Sequence, residues 1–165
     1  MVELLLGLCL LGAVVVFVAP DRYAGRLALA WSLLPLAGSV LMYANFEGSG
    51  NALLDGELAY ETVAQWVTVG PYQLQYHVGL DGISMPLLVL TTVLTTLAIL
   101  SAWTPIDERE SQFYGLMLFM EFSLVGVFAA LDFFVWFVFW EAVLIPMYFL
   151  IGVWGGPRKE YAAIK

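Results

Sequence analysis

The stretch FVFWEAVLIPMY, residues 137–148, sets one carboxylate, Glu141, and one proline, Pro146, in an otherwise apolar run. It lies inside the segment 133–154, where Glu141 is the only charged side chain. About 20 apolar residues in a helix cross a bilayer core of about 30 Å. The segment is therefore expected to be a membrane helix with an acid in it. Outward from it, the same criterion finds helices at 3–19, 27–46, 82–103 and 112–131, the last carrying one carboxylate, Glu121. The expected fold is an all-α polytopic membrane protein with five transmembrane helices. Composition agrees: 62% of residues are hydrophobic and 12% charged, about half the charged share of ordinary soluble domains.

The charges are unevenly placed. With five helices in series, loops 20–26, 104–111 and 155–165 fall on one side of the membrane. All six basic residues, Arg22, Arg26, Arg109, Arg158, Lys159 and Lys165, lie in those loops. The opposite side holds the N-terminus, loop 47–81 and the turn at Asp132, and no basic residue. Basic loops stay in the cytoplasm, so the N-terminus is expected outside and the chain in the cell membrane, in contact with lipid. A cleaved signal peptide needs a basic leading region, but the only charged side chain before the first run is Glu3. The net charge of −8 gives no reason to expect a nucleic-acid partner.

Four regions follow. Residues 1–46 hold the two N-terminal helices, and 47–81 form an extracytoplasmic loop. Residues 82–154 are a three-helix segment, and 155–165 a cytoplasmic loop with the start of a sixth helix at EYAAIK. A polytopic chain seldom stops at the start of a helix, so a truncated or split protein is expected. In the large loop, 47–61 reads as loop or a short surface helix. Tyr72, Leu74, Tyr76 and Val78 alternate with Gln73, Gln75 and His77 beyond Gly70-Pro71, which predicts a β-hairpin over 65–78. Asp81 is a candidate N-cap for the third helix and Asp132 for the fifth. His77 is the only histidine and is expected to be an exposed strand residue.

Two acids in the membrane demand explanation. Glu141 lies nine residues past Asp132 and Glu121 eleven before it, so both sit about 14–16 Å deep on adjacent antiparallel helices. A charge there costs about 3 kcal/mol or more. The pair is placed to face each other or to share one cavity. Apolar surroundings and a like-charged neighbour both disfavour ionisation, so at least one acid is expected to hold a proton near neutral pH unless a cation sits close by. Pro146 cannot donate to the carbonyl of Ala142, which leaves a polar spot beside Glu141 that attracts water. The competing reading is a neutral glutamate that only hydrogen-bonds across helices. Other chemistry is missing. The single cysteine, Cys9, builds no disulfide framework and no iron–sulfur cluster on this chain alone. GSGNALLDG (48–56) places Leu53 where the third glycine of a dinucleotide fingerprint belongs. No zinc spacing, phosphate loop or nucleophile elbow is present.

The segment GVFAALDFFVWFVFWEAVLIPMYFLIGVWGGPRKEYAAIK (126–165) resembles chain M (subunit 4) of respiratory complex I, the proton-translocating NADH:quinone oxidoreductase. VGLDGISMPLLVLTTVLT (78–95) is similar to the start of that family's third helix. The shared motif is D-x-F-x-[WFY]-x-x-F-[WFY]-E-x-x-L-I-P-M-Y-F-L-I. The resemblance implies an antiporter-like membrane subunit that takes part in proton translocation coupled to quinone reduction in partner subunits. On that likeness Glu141 is the essential fifth-helix glutamate, and Glu121 an accessory on the fourth. Lys165 matches a lysine at the start of helix six. The family's Glu141 equivalent pairs with a lysine on a later, broken helix. No cofactor is expected on this chain; NADH, FMN, iron–sulfur clusters and quinone are expected in partner subunits, and other membrane subunits are the expected partners. The alternatives are a subunit of a multisubunit Na⁺/H⁺ antiporter and a purely structural membrane anchor.

Overall fold

A computed structural model describes residues 1–46, 58–69 and 72–164. It contains helices α1 (Val2–Val18), α2 (Asp21–Ala44), α3 (Ser84–Ser101), α4 (Glu110–Ala129), α5 (Phe133–Trp154) and the short α6 (Lys159–Ile164). Strands β1 (Ala59–Val69) and β2 (Tyr72–Leu80) pair antiparallel. Helices α2 to α5 are long and apolar enough to cross a membrane, and α1 is a shorter apolar helix of 17 residues. At its helical rise α1 reaches about 25 Å, the lower end of what a span needs. The chain is a multi-pass membrane protein.

The helices lie within a few residues of their expected positions except at the start of α2, which begins at Asp21 and not at 27. Pro20 precedes it in an extended conformation, and Asp21 in the first turn complements the helix dipole. Hydropathy marks where charge stops, whereas the helix continues beyond the apolar segment.

Helix α4 is the hub, packing on α1, α5, α3 and α2. Its buried Tyr114, Leu118, Val125 and Ala129 recur at helical spacing. One apolar cluster joins Tyr114 and Leu118 to Val16, Ala24, Ala28 and Ile99. A second, toward the hairpin, joins Val125 and Ala129 to Leu5, Met42, Leu88 and Val78. Two glycines permit close approach, as small residues do in membrane bundles. A Cβ on Gly12 would overlap the Trp31 ring, and one on Gly126 the Phe139 ring. Helices α2 and α3 are joined by hydroxyl pairs, Ser39 with Thr92 at 2.8 Å and Thr96 donating to Ser32 at 3.3 Å.

The hairpin is longer than the expected 65–78. Ala59, Tyr60 and Glu61 belong to β1, where the sequence suggested loop or surface helix; residues 47–57 lie outside the described residues. Register shifts between Ala59 and Thr62 and between Gln65 and Val67 break the two-residue period of β1, which hides it from pattern reading. In β2, Val78 and Leu80 are buried and Tyr76 packs on the adjacent cluster. The outward His77 pairs with Glu61 at 2.8 Å. The Leu131 N–H donates to the His77 carbonyl at 2.9 Å, Val78 bridges Ala130, and the Tyr60 hydroxyl donates to the Met42 carbonyl at 3.1 Å. At the opposite end the Ser111 N–H donates to Asp21 Oδ1 at 2.9 Å, and the Trp154 indole donates to the Glu108 carbonyl at 2.9 Å. The segments bearing Arg22, Arg26, Arg109, Arg158 and Lys159 thus share the end away from the hairpin.

Candidate functional site

Helix α5 starts where Asp132 accepts from the Phe134 N–H at 2.8 Å and the Val135 N–H at 3.3 Å. It runs unbroken through Pro146 to Trp154. Only Val135 and Pro146 are buried; the rest of the helix is at least partly uncovered in this chain. Glu141 stands on that uncovered face. It lines an open groove of about 740 Å³ with Phe137, Val138, Ala142, Ile145 and Tyr148 among its neighbours. Pro146 supplies no N–H to the Ala142 carbonyl. The groove therefore holds a carboxylate and an undersatisfied carbonyl on consecutive residues, in walls that are otherwise nearly all apolar.

Glu121 sits in the apolar stripe of α4, between Leu118 and Val125. It is 0% exposed, and neither carboxyl oxygen has a hydrogen-bond partner among the described residues. Glu121 and Glu141 are each eight residues from the turn-side end of their helix, about 12 Å deep. The matched depth expected from sequence is present, but the two acids neither face each other nor share a cavity. Near the level of the acids, Phe139 of α5 packs on α4, against Gly126 and with its ring 5.5 Å from that of Phe122. Two residues further along a helix is about 200° of rotation, which turns Glu141 away from α4. Glu121 looks into the bundle and Glu141 out of it.

Lys165 lies outside the described residues. Asp81 caps α3 as expected: Oδ1 accepts from Ser84 N–H at 2.6 Å and Ile83 N–H at 3.1 Å, while the Asp81 N–H donates to the Ser84 hydroxyl at 2.8 Å. Partial burial pushes this carboxyl up, but the hydrogen bonds from Ser84 and Ile83 more than offset it and hold Asp81 below the ordinary aspartate range. Among the described residues no group of three or more His, Cys, Asp or Glu is placed to hold a metal. The hydroxyl pairs of α2 and α3 were not singled out in the sequence. Their signal was present in Thr92 and Thr96 four apart, opposite Ser32 and Ser39 seven apart.

Residues 59–129 match the family described as NADH-ubiquinone oxidoreductase chain 4, amino terminus. F(420)H(2) dehydrogenase subunit M of Methanosarcina mazei is 36% identical over 164 residues, 99% of this chain and 32% of that protein. NAD(P)H-quinone oxidoreductase chain 4 1 of Nostoc sp. is 45% identical over 107 residues, 65% of this chain and 20% of that protein. Among solved structures, a chain of respiratory complex I from Thermus thermophilus with bound NADH superposes with a TM-score of 0.78 at 25% identity, covering 99% of this chain and 31% of that one. The chain spans about a third of the length of the first and third of these.

Proposed function

We propose that the chain, which matches the amino-terminal part of NADH-ubiquinone oxidoreductase chain 4 over residues 59–129 and is similar along its whole length to part of larger relatives, works as an antiporter-like membrane subunit of a complex I-type oxidoreductase. Its task is proton translocation coupled to electron transfer to quinone in partner subunits. Residues 82–154 open the translocating module, with Glu141 as the central carboxylate and Glu121 as an accessory one. The basic end of the bundle faces the cytoplasm, by the distribution of Arg and Lys. The relatives' names carry two electron donors, F420H2 and NAD(P)H. That breadth suits a subunit that handles protons while donor, flavin, iron–sulfur and quinone chemistry belongs to other chains.

The observation that carries this reading is Glu141 on the uncovered face of α5. A lone carboxylate about 12 Å deep, beside a freed carbonyl, cannot rest stably against lipid. It is placed for a further membrane segment to cover it. A basic side chain brought near favours loss of its proton, and withdrawal favours return. Alternating the two states, with access to opposite sides, moves protons. The test is Glu141→Gln in the assembled complex, which keeps shape and removes the titrating group. Proton pumping is expected to fall to background while the complex still assembles. Pumping at the wild-type ratio of protons to electrons would leave Glu141 a structural residue and refute the assignment.

A further inference from the structure

Buried polar groups of three packed helices, α2, α3 and α4, lie between the two apolar clusters of the bundle, and Glu121 is the one left unpartnered there. Below them lies the apolar cluster of Tyr114, Leu118, Ala28 and Ile99. Above them lies the cluster of Val125, Ala129, Leu88 and Leu5. One turn on from the lower cluster along each helix comes a polar residue: Ser32 after Ala28, Thr95 and Thr96 before Ile99, Glu121 after Leu118. Ser32 and Glu121 are 0% exposed, and Thr95 and Thr96 7%. By helical rise from the hairpin end, the Ser39–Thr92 pair lies about 8–12 Å deep, Glu121 about 12 Å and the Ser32–Thr96 pair about 18 Å. The hydroxyl pairs therefore bracket the carboxyl in depth.

Each of these hydroxyls also has a carbonyl of its own helix within reach, Leu29 for Ser32, Leu36 for Ser39, Val89 for Thr92 and Thr92 for Thr96, so its single proton goes either to that carbonyl or to the paired hydroxyl. They are satisfied, and they retain acceptor lone pairs. Glu121 is different: an acid with both oxygens empty, in a bilayer interior, requires a proton and a polar neighbour. Ordered water meets that need where several polar groups converge.

We propose that Glu121 is the proton-binding centre of a second, internal site, whose exchange with solvent runs through water held by the Ser/Thr pairs of α2 and α3 and not through the Glu141 groove. The inference deepens the accessory role given to Glu121 above, and rests on that function only for its purpose. The site itself is tested without electron transfer, so its failure is distinguishable from failure of pumping in Glu141→Gln.

The experiment is infrared difference spectroscopy of the full chain in lipid bilayers, comparing wild type with Glu121→Gln, in H₂O and D₂O. A protonated-carboxyl C=O band is expected that is missing from Glu121→Gln and retained in Glu141→Gln. It shifts in D₂O while the helices stay folded, and Thr92→Val with Thr96→Val slows that shift severalfold. Absence of a Glu121-dependent band would overturn the proposal, as would a band that shifts only on unfolding, or one lost with Glu141→Gln. Should Glu121→Gln fail to fold, carbodiimide labelling of wild type, mapped by mass spectrometry, decides. Adducts at Glu121 that decline as pH rises support the site. Adducts confined to Glu141 at every pH overturn it.

Discussion

Gly126→Ala tests how the two acid-bearing helices are held together. A methyl at this position would enter the Phe139 ring envelope at Cγ, Cδ1 and Cε1. The ring has little room to swing, because Phe122 stands edge-on with centroids 5.5 Å apart. Overpacking of this kind costs about 1–3 kcal/mol, and an obstructing ring places the expectation in the upper half of that range. Phe139→Ala alone leaves a void along the α4–α5 seam; full burial would make that about 3–5 kcal/mol, and the half-buried ring sets it lower. Combined, the two changes relieve each other, since the methyl gains space when the ring is gone. The double variant should therefore be less destabilised than the sum of the singles, with a coupling of about 1–3 kcal/mol, inside the range seen for residues in contact. The assay is reversible unfolding of all four proteins in mixed micelles with a rising fraction of denaturing detergent. Additivity within about 0.5 kcal/mol, the behaviour of independent sites, would refute the claim that glycine stands at 126 to admit that ring.

Three further outcomes are expected. Asp132→Ala removes the cap of α5 and should cost about 1 kcal/mol in the same unfolding assay, with Asp132→Asn close to wild type. Because the folded-state pKa of Asp81 is depressed, its contribution to stability is present above the unfolded value of about 3.9 and is lost as pH falls through the folded value; a pH series of unfolding midpoints should decline on that acid limb, and Asp81→Asn, which keeps a cap, should flatten it. A double-mutant cycle of Ser39→Ala and Thr92→Val should give a coupling of about 0.6 kcal/mol, the mean for hydrogen bonds between membrane helices, because each hydroxyl retains its own carbonyl bond when the partner is removed; a coupling well above 1.7 kcal/mol would mean the hydroxyls depend on each other far more than their geometry indicates.

The helices, their order and the clustering of basic segments at one end were legible because long apolar runs and isolated charges have few arrangements in a bilayer. The rotation of each helix was less so. Glu121 continues the 114, 118, 125, 129 stripe of α4, so its inward direction was present in the spacing. Helix α5 is apolar all round, with no stripe to say which face meets α4; only the fit of Phe139 against Gly126 turns Glu141 outward. The hairpin was visible in β2, where alternation is clean. The first residues of β1 were missed because two irregularities in pairing spoil their alternation. Asp21 shows a third limit: hydropathy locates the oily part of a helix, and α2 starts before it.

The bond from Leu131 to His77 and the bridge from Val78 to Ala130 have a mechanical consequence. They rivet the tips of α4 and α5 to a strand outside the membrane, so that end is a fulcrum. The far ends touch through an aromatic contact, Phe113 with Trp154 at 5.3 Å, and one indole hydrogen bond. Two rods clamped at one tip and lightly latched at the other can scissor only by opening the latch.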